Sequence, residues 1–314
     1  MTTQIPLLDW QDFQHDEAKF VAELGAACRD TGFFLLKGHG IERSLIDAVF
    51  DQSQTFFELP EAEKAPLDIY KSPANRGWSR VGSENLDDGG ELRDIKEAFN
   101  VGLDLAADDP RVVRGDPFRG VNVWPDLPGF QRTMLDYFDA VLKLSVDVHE
   151  AIALDLGLPR RWFDQHLDAP LATLRTLWYP ADTNGDNETG AGEHTDYGSL
   201  TFIMSDGVPG LQLRPRRQAG GEAEWIDVPH YDGAFIVNIA DCLMRWTNDL
   251  YVSTPHRVLP PARKRQSIAF FLDPNPDSII EALPTATGPS KYPPISSANY
   301  LKMRLNQTYT EEVA

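Results

Sequence analysis

Three times in this 314-residue chain a histidine stands two residues before an aspartate: His166-Leu167-Asp168, His194-Thr195-Asp196 and His230-Tyr231-Asp232. On an extended strand two such side chains point to the same face. An imidazole beside a carboxylate, joined by a third ligand from elsewhere, can hold a non-haem Fe(II) with coordination positions left open. The spacing alone does not choose among the three copies; local context does. Asp168 follows a helical run and precedes Ala169-Pro170, and His230-Tyr231-Asp232 runs into Gly233. Both are turn contexts, where aspartate commonly serves local hydrogen bonding. His194-Thr195-Asp196 instead follows a Gly- and Asn-rich loop, 184–192, and leads into Leu200-Thr201-Phe202-Ile203. A position between a loop and a β-rich run suits a ligand site.

Few residues can supply the third ligand. His15 and His39 lie in the N-terminal region, and His149 falls on the apolar face of a helix, where a hydrogen-bonded core histidine is the favoured reading. His256, in Ser253-Thr254-Pro255-His256-Arg257-Val258, opens a strand in the β-rich half. Further on, Arg265, Ser267, Ala269 and Phe271 alternate on one strand face. If Ala269 and Phe271 face the interior, so does Arg265. A buried guanidinium needs an anionic partner. Two readings stand level: a clamp with Ser267 for a ligand carboxylate, or a structural salt bridge with one of the chain's acids.

The elements that must position these residues change character along the chain. The pattern predicts a strand over 5–10 and a helix over 16–30, with Phe20, Leu24 and Cys28 on one stripe. Gly32 ends that helix, and Phe33-Phe34-Leu35-Leu36 reads as a buried strand. A helix over 43–58 aligns Ile46, Phe50 and Phe57; residues 71–93 read as loop; a long helix over 129–156 turns Leu135, Phe138 and Leu142 inward. After about 170, strands are predicted over 173–179, 200–204, 211–213, 225–228, 234–239 and 267–272, then a helix near 298–305. Short strands at this spacing indicate a β-sandwich or barrel.

Composition narrows the function classes. With 42% hydrophobic and 25% charged residues the chain is of ordinary globular type, long enough for one large core. Its net charge of −19 argues against nucleic acid and against anionic membrane surfaces as partners. No run approaches the roughly 20 apolar residues of a membrane span. The first residues lack a signal-peptide pattern. Cys28 and Cys242 lie far apart in sequence, with no disulfide framework, so a reducing, cytoplasmic setting is the expectation.

Taken together, His194-x-Asp196, His256 and Arg265-x-Ser267 resemble the motif set of the Fe(II)/2-oxoglutarate-dependent oxygenases, in the branch of isopenicillin N synthase. The resemblance extends to Gly32-Phe33-Phe34 with His39-Gly40-Ile41, Asp94-Ile95-Lys96-Glu97-Ala98-Phe99, Trp178-Tyr179-Pro180, Asn238-Ile239-Ala240-Asp241 and Ser253…His256-Arg257-Val258. It runs in order over about 4–305. It implies a mainly β protein with α elements: a double-stranded β-helix (jelly-roll) core with flanking helices in 116–314, and an N-terminal α/β region, 1–115, packed on it as one unit. It implies iron at His194, Asp196 and His256, and 2-oxoglutarate held at its distal carboxylate by Arg265 and Ser267 with help from Tyr179. The implied reaction uses O2 to hydroxylate a small polar molecule, releasing succinate and CO2.

Candidate substrate contacts are Arg80, Glu84, Arg175, Tyr197, Phe271 and Arg304. Glu84 suits a cationic group and Arg175 a carboxylate, so an amino acid or guanidino compound is the expected substrate. Two alternatives remain: an Fe(II) oxidase that closes rings or desaturates without 2-oxoglutarate, as isopenicillin N synthase does while keeping the Arg-x-Ser pair, and a carboxylate-binding barrel without turnover.

Overall fold

Why this chain makes two facing sheets is visible in its main β element. A computed structural model of the protein describes residues 4–86, 93–181, 188–215 and 224–308. Its larger sheet has eight strands, in the order Leu7–Asp9, Phe33–Lys37, Phe235–Ile239, Leu200–Ser205, Arg265–Leu272, Thr173–Tyr179, Glu97–Gly102 and Gly77–Ser79. The central strands are apolar on both faces. Phe34, Leu174, Phe202, Val237 and Phe270 pack with the helices on one side, and Phe33, Leu177, Ile236 and Ala269 face a second sheet on the other. A sheet covered on both sides reads as continuous apolar runs. The second sheet is short, in the order Ile226–Asp227, Leu211–Leu213, His256–Val258 and Ala191–His194. This is the jelly-roll core. Strands from before residue 115 and from after 170 share the larger sheet through the pairs Phe33–Lys37 with Phe235–Ile239 and Glu97–Gly102 with Thr173–Tyr179.

The helical layer forms at Glu17–Asp30, Arg43–Phe57 and Phe130–Asp155. Gly32 closes the first with φ of +66°, and its N–H reaches back to the Ala27 carbonyl. A side chain there would strike the Val252 carbonyl at 2.1 Å, so only glycine fits both the turn and the contact. The stripes of the other two helices lie slightly off the expected residues. Met134, Phe138, Val141, Ser145 and Val148 are buried, while Leu135 and Leu142 sit on the flank, half-buried. Val49 and Phe56 are likewise buried in the Arg43–Phe57 helix, and Phe50 is only half so. Each face is wider than a single i, i+7 column, and the centre of a wide apolar face is set by the partner surface.

Two expected loops are part strand. Gly77–Ser79 pairs with Glu97–Gly102, and Ala191–His194 pairs with His256–Val258. Strands this short carry too little alternation to be seen in sequence. Residues 87–92 and 184–187 of the expected loops lie outside the described residues. The last helix runs Ser297–Thr308. No helix among the described residues is long and apolar enough to cross a membrane, and Cys28 and Cys242 are both free and buried.

Candidate active site

His194 is the last residue of one strand, and His256 is the first of its antiparallel neighbour. The two are directly opposed across the ladder, with ring centroids 4.3 Å apart. Asp196 follows His194 by two residues, just past the strand end, and its Oδ1 lies 3.8 Å from His194 Nε2 and 3.7 Å from His256 Nε2. One ligand atom from each of the three falls within 4.8 Å of the others, the only such group among the described residues. The remaining ring nitrogens are occupied: His194 Nδ1 meets the Gly192 carbonyl at 2.8 Å, and His256 Nδ1 meets that of Thr254 at 3.1 Å. A carbonyl can only accept, so Nδ1 carries the proton and Nε2 presents its lone pair to the centre. Asn238 Nδ2 donates to Asp196 Oδ2 at 2.8 Å, leaving Oδ1 for the centre.

Electrostatics agree with this arrangement. Burial, reinforced by His256, holds His194 well below its ordinary 6.5, so it is neutral near pH 7. Burial pushes the Asp196 carboxyl up, but His256 and His194 outweigh it and hold it below the usual range. Two imidazole lone pairs and one carboxylate, all on one side, match the donor set of a 2-His-1-carboxylate iron site.

The segment carrying Asp196 is clamped from behind. Asp241, the first residue of the Asp241–Trp246 helix, donates its N–H to the Asp196 carbonyl at 2.9 Å. Its carboxylate accepts from Ser253 Oγ at 2.7 Å, Tyr300 OH at 2.8 Å, Thr195 Oγ1 at 3.3 Å, and Arg304. Asp94 supports the other side by accepting from Gly192 N at 2.9 Å, while Gly192's carbonyl holds His194.

A cavity enclosing about 1090 Å³ of non-protein space, its open mouth included, lies between the sheets and takes in the triad. Arg265, Ser267, Ala269 and Phe271 all line it, as their alternation predicts, and so do Thr173, Arg175, Leu177 and Tyr179 on the adjacent strand. Arg265 is 2% exposed. Its Nε donates to the Val208 carbonyl at 3.2 Å, an NH donates to Ser267 Oγ at 3.3 Å, and its guanidinium stacks 4.8 Å from the ring of Tyr179, its cross-strand partner. Among the described residues no carboxylate comes within ion-pairing distance of it, so the salt-bridge reading finds no partner.

Four of the substrate candidates have partners or positions of their own. Glu84 and Arg175 do line the cavity, but they face each other: the Arg175 NH2 group donates to both Glu84 oxygens at 2.6 and 2.7 Å. Lys96 joins them, 3.5 Å from Glu84 and 2.5 Å from Asp94, and Ser79 Oγ donates to Glu84 at 2.6 Å. Burial alone would raise the Glu84 carboxyl, yet Arg175 and Lys96 pull it down to about 2. This buried network compensates its own charges while still lining the cavity. Arg80 is exposed in the turn after Gly77–Ser79 and does not line the cavity. Arg304 points to Asp241 and stacks 4.4 Å over Tyr197, outside the lining. Tyr197 and Phe271 do line it, and the Tyr197 hydroxyl meets Thr308 Oγ1 of the last helix at 2.5 Å.

The other His-x-Asp pairs stay apart from this site. Asp168 accepts from Asn275 at 2.6 Å at a helix end, and Asp232 pairs with Arg43 on the surface. His149 is a core residue, its nitrogens meeting the Ser145 carbonyl at 2.7 Å and Ser199 Oγ at 2.7 Å. Residues the sequence reasoning did not single out for a role are Asp94, Lys96, Asn238, Asp241 and Asp273. Asp273 was within reach, since the alternation from Arg265 continues to it in one more step. Burial, with Asp196 adding to it, pushes its carboxyl up to about 7.

Comparison with known proteins places this geometry. Residues 5–127 match the model of the non-haem dioxygenase in morphine synthesis N-terminal region, and residues 169–274 that of the 2OG-Fe(II) oxygenase superfamily. The chain is 35% identical to the 2-oxoglutarate-Fe(II) type oxidoreductase hxnY of Emericella nidulans, over 98% of this chain and 91% of the relative. It superposes on a full-length Neurospora crassa protein, crystallised in complex with alpha-KG and thymine, with a TM-score of 0.83 and 33% identity, covering 96% of each chain. A 2OG-Fe(II) oxygenase family protein from Caulobacter crescentus gives a TM-score of 0.85 at 28% identity, over 98% of this chain and 99% of that one. The chain therefore belongs to the 2OG-Fe(II) oxygenase superfamily, whose enzymes use Fe(II), 2-oxoglutarate and O2.

Proposed function

We propose that this protein hydroxylates a small, polar, uncharged molecule, with His194, Asp196 and His256 as the iron ligands and Arg265 and Ser267 holding the distal carboxylate of 2-oxoglutarate. The observation that carries the co-substrate assignment is the buried Arg265 guanidinium, which shares a cavity with the triad and meets no carboxylate among the described residues. A guanidinium beside a hydroxyl is a two-point grip for a carboxylate. Tyr179 stacks on the same guanidinium and fixes its plane. Bound Fe(II) supplies the redox chemistry that side chains lack, coupling conversion of 2-oxoglutarate and O2 to succinate and CO2 with insertion of one oxygen atom into a substrate C–H bond. The chain's own share is orientation and exclusion of water. Asn238 and the two carbonyls fix the ligand atoms, and Leu177, Ile203, Leu211 and Ala269 keep the cavity wall apolar.

For the substrate, Glu84 and Arg175 are already neutralised, so an uncharged polar molecule suits the cavity better than an amino acid or guanidino compound. The Neurospora crassa protein, crystallised with thymine and with 5-formyluracil, makes neutral heterocycles the first class to try. The test is a screen for Fe(II)-dependent succinate release, with heterocycles, amino acids and guanidino compounds side by side. A heterocycle should raise succinate and yield a product heavier by one oxygen. Substrate-driven O2 uptake that ignores 2-oxoglutarate would instead select the oxidase alternative and refute the assignment of Arg265 and Ser267.

A further inference from the structure

The strand face that turns Arg265, Ser267, Ala269 and Phe271 into the cavity continues to Asp273, which also lines it. Asp273 is 5% exposed. Among the described residues its carboxyl meets no cation and accepts no hydrogen bond, though its backbone carbonyl accepts from Leu171. The other acids facing the cavity differ. Glu84 is saturated by Arg175, Lys96 and Ser79, and Asp196 gives one oxygen to Asn238 and the other to the triad centre. The Asp273 carboxyl therefore faces the cavity with its hydrogen-bonding capacity open to a ligand.

Position says which ligand. Eight residues separate Arg265 from Asp273, about 26 Å of strand at roughly 3.3 Å per residue. A five-carbon diacid gripped at Arg265 cannot reach the far end. Gly198, two residues past Asp196, packs so closely that a side chain there would come 2.9 Å from Asp273 Oδ1. The carboxyl thus lies beside the loop that carries the metal-facing aspartate.

We propose that Asp273 is the specificity-determining acceptor for the substrate: its carboxyl receives an N–H or O–H donor of the small molecule at the end of the cavity opposite Arg265. This rests on the reading that Arg265 marks the 2-oxoglutarate end. Substrates without such a donor are then poor ligands, whatever their shape.

The experiment is calorimetric binding to the full chain loaded anaerobically with Fe(II) and 2-oxoglutarate. The probes are thymine, 2-pyrrolidone, imidazole and benzyl alcohol, each beside its N- or O-methylated counterpart. Wild type should bind at least one donor-bearing probe, and its methylated counterpart about 5- to 150-fold more weakly, the worth of one hydrogen bond to a carboxyl between its neutral and charged forms. Asp273→Leu should show the same loss and Asp273→Asn a smaller one, with thermal unfolding confirming that both variants are folded. Equal binding of both members of a pair, equal binding by Asp273→Leu, or no binding of any probe to the loaded wild type would overturn the proposal. Failure of the wild type to take up 2-oxoglutarate at all would instead overturn the underlying reading of Arg265.

Discussion

Replacing Arg265 with methionine separates the energetics of the folded chain from those of the ligand, because the two should move in opposite directions. Methionine keeps a flexible stem and removes the guanidinium. In the ligand-free chain that charge is buried and, among the described residues, rests on the Val208 carbonyl, the Ser267 hydroxyl and the Tyr179 ring. Removing it lifts the desolvation cost of an uncompensated cation and forfeits neutral hydrogen bonds of about 1 kcal/mol each. Unfolding free energy of the ligand-free protein should therefore hold or rise. With 2-oxoglutarate present the same change strips one partner from a buried charge pair, about 2–5 kcal/mol, or about 30-fold to a few thousandfold in Kd. Arg265→Lys keeps the charge without the planar fork and should fall between. Anaerobic calorimetry of 2-oxoglutarate into the Fe(II)-loaded protein, beside urea unfolding of the ligand-free protein, measures both. A methionine variant that binds 2-oxoglutarate within about threefold of wild type, or that loses several kcal/mol of ligand-free stability, would refute the reasoning.

Further outcomes follow from the same geometry. His256→Ala removes one of three ligands and should lower Fe(II) affinity by at least about 100-fold, measured by equilibrium dialysis, while the fold by circular dichroism is retained. Asp241→Ala leaves Arg304, Tyr300 and Ser253 without their shared acceptor, and should cost about 3–5 kcal/mol in urea unfolding. His149 and Glu84 should each contribute an acid-linked loss of stability, the first partly offset by Asp273, whose carboxyl is pushed up to about 7 and so favours folding as pH falls from 7 toward 3.8. Buried His149 is held at about 4, below its ordinary 6.5, so the unfolded chain takes up that proton first and its contribution drops as pH falls from 6.5 to 4. Glu84, held at about 2 against an ordinary 4.5, adds a second loss as pH falls from 4.5 toward 2. Urea midpoints across pH 3–8 in His149→Gln and Glu84→Gln backgrounds check both losses; each variant should flatten its own.

The grouping of His194, Asp196 and His256 and the shared face of Arg265 and Ser267 were legible because their signal is periodic or local. Arg265, Ser267, Ala269 and Phe271 share a face by strand alternation, and that alternation survives folding unchanged. The turn contexts of Asp168 and Asp232 likewise kept both away from the site. What stayed hidden depends on contacts between distant segments. Glu84 and Arg175 look like free charges in sequence, and only the pairing of Glu97–Gly102 with Thr173–Tyr179 brings the Arg175 strand beside the turn that carries Glu84. Arg304 was a substrate candidate because the C-terminal helix resembles the segments that line substrate pockets in this family, yet its guanidinium is taken up by Asp241, 63 residues earlier. The strands Gly77–Ser79 and Ala191–His194 are three and four residues long, too short for any period to show.

One titration asks most directly whether His194, Asp196 and His256 hold a single Fe(II) that 2-oxoglutarate then chelates. Anaerobic addition of Fe(II) to the ligand-free protein, followed by 2-oxoglutarate, should give one metal per chain and a weak visible band near roughly 500 nm that needs both components, as a 2-oxo acid on an open-sited Fe(II) implies. The band should vanish in Asp196→Ala. A band that persists in that variant, or 2-oxoglutarate binding that is indifferent to Fe(II) with no band at all, would contradict it.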